Sequence, residues 1–135
     1  MNARYAMNAY SNTQVHSGIM DASPHKLTAM LLSGAMDRLN VARGAVETGD
    51  VAKRGEMLGK AISILAQLQA DLDKEQGGEI ADNLEALYDY MIRQLVAANQ
   101  ENSAAKVDEV LALVNEVKAG WDLSLIHISE PTRPY

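Results

Sequence analysis

The sequence predicts an all-α protein, an antiparallel four-helix bundle preceded by an N-terminal arm. Three observations lead there. Apolar residues make up 47% of the 135, yet Phe is absent and aromatics reach only 4%. The core must then be built from Leu, Ile, Val, Met and Ala, a set that favours helices over strands. Apolar residues also recur at three- and four-residue spacing over four long stretches. Short breaks carrying Gly, Asp and Asn separate these stretches, and short connections make consecutive helices antiparallel neighbours.

Residues 1–22 are polar, with isolated apolar residues, and read as an irregular or weakly helical arm. Tyr10 and Val15 are its anchors, large side chains among small polar ones. Residues 23–122 form the bundle. Ser23 suits an N-cap and Pro24 the first helical position, where its missing N–H costs nothing. The first helix spans about 24–48, with Leu27, Met30, Leu31, Leu39, Ala42 and Val46 at helical spacing. Gly34 inside it calls for a close approach by another backbone.

Gly49 is a helix stop and Asp50 the next N-cap. The second helix spans about 51–72 and ends in a polar break that closes on Gly77 and Gly78. The third spans about 79–98, with Ile80, Leu84, Leu87, Met91 and Leu95 as its main stripe. The fourth spans about 103–121. Val107, Val110, Leu111, Val114, Val117 and Trp121 step along one face, and Lys106, Asp108, Glu109 and Glu116 occupy the other. Residues 123–135 change character, with β-branched residues, two prolines and no helical stripe. They read as a disordered or non-native tail of the kind that translated adapter sequence leaves.

Charge and motifs narrow the function. The formal charge is −6, which disfavours nucleic acid and anionic membrane surfaces, because both are bound largely by cations. No apolar run is long enough to span a bilayer. The N-terminus lacks the continuous apolar stretch of a signal peptide, so a cytoplasmic location is expected. There is no Cys for a disulfide or a thiolate metal site. His16, His25 and His127 are scattered, and no Glu precedes a His by three residues, as a di-iron bundle requires. Phosphate-loop and hydrolase motifs are missing as well. The expectation is a protein that is not an enzyme, with no metal and no cofactor.

The apolar pattern of the middle helices asks for a partner. A helix packed on one side needs one apolar stripe about 100° wide. The second helix has two rows, Leu58, Ile62, Leu65 and Leu72 beside Met57, Ala61, Ile64 and Leu68. The third adds Tyr88 and Ile92 to its main stripe. Either these rows face two neighbours or a second copy, or they leave a groove for a partner's amphipathic helix.

Tyr10 and Val15 stand five apart, then Ala22-Ser23-Pro24, Leu27, and Met30-Leu31 before Gly34. Lys60-Ala61-Ile62 opens a stripe that ends in Leu72-Asp73. Asn83-Leu84, Leu87-Tyr88-x-Tyr90-Met91, Arg93-x-Leu95, Ala98-Asn99 and Ala119-x-Trp121 follow in order. This ordered set resembles that of the FliS family of flagellar export chaperones, and the resemblance implies a chaperone that binds the disordered C-terminal region of flagellin and prevents polymerisation before type III export. It implies apolar grooves for the client, an arm that competes with it, and contact with the export gate. On that reading the partner-binding residues are Tyr10, Val15, Leu31, Ile64, Leu68, Leu87, Tyr88 and Met91. The oligomeric state expected is a monomer or weak homodimer. The alternative is a homodimeric structural or regulatory module whose extra stripe is its own interface.

Overall fold

The structure is a computed structural model and describes residues 23–129. Tyr10, Val15 and the rest of the arm lie outside the described residues, as do residues 130–135. Four helices follow in order: α1 (Pro24–Thr48), α2 (Val51–Ala70), α3 (Lys74–Glu101) and α4 (Ala104–Ser129).

The boundaries follow local chemistry. The Ser23 hydroxyl accepts from the Lys26 N–H at 3.2 Å, and Pro24 opens the helix. The expected stop at Gly49 is present, in the left-handed region at φ 74°, with its N–H donating to the Ala45 carbonyl. Asp50 caps α2 by accepting from the Lys53 N–H at 3.0 Å. Asn102, also left-handed, ends α3, and the Ser103 hydroxyl accepts from the Lys106 N–H.

Boundaries differ from the sequence reading at α3 and α4, and α3 runs on to Glu101, past the end expected near residue 98. The break expected up to Gly78 is narrower, because Asp73 caps a single helical turn, Lys74–Gly77. Gly78, at φ 52° and ψ −123°, then kinks the chain into the main body of α3. At the other end α4 does not stop near Trp121 but continues to Ser129, into the stretch expected to be an irregular tail.

The helices form a closed ring. α1 packs on α2 and α4, and α3 packs on the same two. The α1–α2 pair is the most closely packed, helped by Ala29, Ala35, Ala42 and Ala45 among the buried residues of α1. Gly34 is buried with them. Leu32, Leu39, Leu58, Leu65, Met91 and Leu95 are fully buried and fill the centre together with Val107, Val110 and Val114. Each such Leu or Met contributes roughly 1.5–3 kcal/mol by leaving water.

Candidate functional site

The double row on α2 turns inward on both sides. Leu58 and Leu65 of one row and Ala61, Ile64 and Leu68 of the other are all buried. α2 lies between α1 and α3, so each row has a neighbour to cover it. Most of the partner-binding set expected from the sequence is buried in the unbound chain. Leu31, Ile64, Leu68, Tyr88 and Met91 all belong to the core cluster. Burial pushes the Tyr88 hydroxyl up to about 12, because a phenolate there would lose its hydration. Of the six members within the described residues, only Leu87 keeps part of its surface open.

The uncovered apolar surface lies elsewhere. Antiparallel order brings the start of α1, the end of α2, the start of α3 and the end of α4 to one end of the bundle. Leu27, Leu72, Leu84, Leu87 and Val117 are only half-buried there. Ile80, expected in the stripe of the third helix, is 71% exposed. Ile80, Leu84 and Leu87 stand at i, i+4 and i+7, one row on one face of α3. Leu123 of α4 is 69% exposed. Val41, Val51 and Val96 are exposed singly on other parts of the surface, as is ordinary in soluble proteins.

The opposite end is closed by polar contacts. Arg54 of α2 donates from Nε to Asn99 Oδ1 at 2.9 Å and from Nη1 to Asn102 Oδ1 at 2.7 Å, gripping the α3–α4 turn. Arg43 of α1 donates from Nε to Asp108 of α4 at 2.7 Å. Asp108 first, then Glu47, raises the Arg43 guanidinium above its ordinary range. Lys106 pairs with Glu101 at 2.8 Å. The molecule is thus clamped by polar contacts between helices at one end, and carries half-buried and exposed apolar side chains at the other.

Two further features mark the open end. The Trp121 ring stacks on His25, centroids 4.1 Å apart and planes within 16°, and its Nε1–H donates to the His25 carbonyl at 2.7 Å. Sequence reasoning missed this pair, whose only signal is that antiparallel order brings the first turn of α1 beside the last turns of α4. Between α2 and α3 lies an open depression of about 430 Å³ lined by Gln69, Asp82, Glu85, Ala86 and Asp89. Glu85 is already engaged, by Lys74 at 2.8 Å and through its carbonyl by Gln69. Among the described residues no three His, Asp or Glu side chains gather in a metal-holding group. No described helix is long and apolar enough to cross a membrane.

The family model for flagellar protein FliS matches residues 6–126. That match runs past Asp122, where the sequence reading ends the bundle. The chain is 46% identical over 122 residues to the flagellar secretion chaperone FliSB of Pseudomonas aeruginosa, covering 90% of this chain and 97% of that protein. It is 49% identical over 114 residues to flagellar secretion chaperone FliS of Salmonella typhimurium, covering 84% of each. It is 40% identical over 119 residues to the Vibrio cholerae chaperone of the same name, covering 88% of each. A polar-clamped, apolar-ended helical bundle that matches this model over nearly its whole length, and relatives named as chaperones over most of theirs, belongs to the FliS family.

Proposed function

We propose that the chain is a cytoplasmic holdase for flagellin, binding the disordered C-terminal segment and releasing it at the flagellar export gate. The observation that carries this reading is the open apolar end, above all the Ile80–Leu84–Leu87 row on α3. A row at helical spacing, with Leu72 half-buried beyond the C-terminus of α2, suits the apolar face of an amphipathic helix. Flagellin subunits assemble through apolar faces of their terminal helices, so covering such a face removes the contact that polymerisation needs. No turnover, nucleotide or metal enters the mechanism.

The energetics are those of coupled folding and binding. Ordering the client costs about 2–5 kcal/mol, which apolar burial at roughly 25 cal/mol per Å² must exceed. The negative charge of the chain adds no general affinity for polyanions. Co-expression with a flagellin C-terminal fragment tests the proposal. A one-to-one complex that survives size-exclusion chromatography supports it. A chain that runs alone, or as a tight dimer indifferent to the fragment, contradicts it.

A further inference from the structure

We propose that the His25–Trp121 clasp is a latch, closing the seam between α1 and α4 at the apolar end and opening when a partner helix seats there. The partner in this inference rests on the proposed function; the latch rests on geometry.

Polar contacts join the two helices near both ends of α4. Near its start, Asp108 takes a charged hydrogen bond from Arg43. Toward its end, Trp121 is held by a stacking contact and a hydrogen bond to the first turn of α1. The Lys118–Asp122 pair nearby is internal to α4 and ties it to no neighbour. Leu123, just beyond the clasp, is mostly exposed. The start of α4 is therefore anchored by charge, while Trp121 meets α1 through an uncharged indole.

That hold is lightly balanced. His25 Nε2 is buried in the closed arrangement with no hydrogen-bond partner, and a buried polar atom without a partner penalises the state that contains it. Opening the clasp restores water to Nε2 at the loss of one stack and one hydrogen bond. An equilibrium between such small opposing contributions is shifted by any ligand that prefers the open state. Opening uncovers Trp121 and Val117, which pack on the core from α4, and extends the apolar end toward a client.

Trp121 is the sole tryptophan, so a tryptophan-free flagellin C-terminal fragment and the full chain suffice for the test. Acrylamide quenching of Trp121 is measured alongside fragment affinity in the unaltered chain and in His25→Ala. The latch predicts a shielded indole in the free chain, and an indole freed by His25→Ala with the helical signal unchanged. It also predicts affinity about tenfold tighter in His25→Ala, as when a binding-competent state rises from roughly a tenth of the population to nearly all of it. Should His25→Ala fail to fold, Trp121→Phe removes the donor and shrinks the ring that stacks on His25. It must then tighten binding in the same direction, with faster amide exchange confined to the last turns of α4. Equal or weaker affinity in the folded variant overturns the latch alone. Failure of the unaltered chain to bind the fragment overturns the proposed function and the role of the latch with it.

Discussion

Ile64 and Ile80 carry the same side chain in opposite situations, and substitution separates them. Ile64 is 5% exposed between α1 and α3. Ile64→Asp must bury a carboxylate without a partner, so it is expected to cost more than about 4 kcal/mol and to abolish the cooperative thermal transition. Tyr88 offers a test by pH. Its hydroxyl, ordinarily near 10.0, is pushed up to about 12 by burial. Between those values the folded chain keeps a proton that the unfolded chain has released. The unfolded state then binds fewer protons, and stability falls as pH rises through that window, with no effect below it. The loss is about 2–3 kcal/mol, at roughly 1.4 kcal/mol per pH unit. Tyr88→Phe should remove this component, so denaturant midpoints at about pH 9 and about pH 12 should differ less in the variant than in the unaltered chain.

At the scale of elements, the caps are legible in the sequence and the extents are not. Ser23-Pro24 and Gly49-Asp50 announce themselves because a cap is local chemistry, set by two or three adjacent residues. The start of α3 escapes such reasoning because Asp73 supports one isolated turn before Gly78, and only backbone geometry separates that turn from a loop. The end of α4 escapes it because β-branched residues carry a weak local bias against helix, which a helix already under way overrides. The kink itself is testable. At φ 52° and ψ −123° Gly78 sits where a Cβ is strained, even though open space surrounds it. Gly78→Ala should therefore cost about 1–3 kcal/mol in chemical denaturation, all of it backbone strain. A neutral result would mean that the kink adjusts freely.

For the molecule as a whole, the four helices and the antiparallel order of consecutive ones are within reach of periodicity and loop length, since both are properties of short segments, whereas the closure of α1 on α4 is not. The candidate surface is not. A wide apolar stripe says that a helix has much to cover and is silent on what covers it. On α2 the cover is α1 on one side and α3 on the other, so Ile64 and Leu68 are core. The open surface arises at one end, from Leu27 of α1, Leu72 of the α2–α3 connection, and Ile80 and Leu84 of α3, and that coincidence depends on how far each helix runs. The most direct test compares binding of a flagellin C-terminal fragment by the unaltered chain and by the double variant Ile80→Asp/Leu84→Asp, using isothermal titration calorimetry. The account predicts an unchanged far-UV helical signal with affinity weakened by about a hundredfold or more. Undiminished binding by the folded double variant would contradict it.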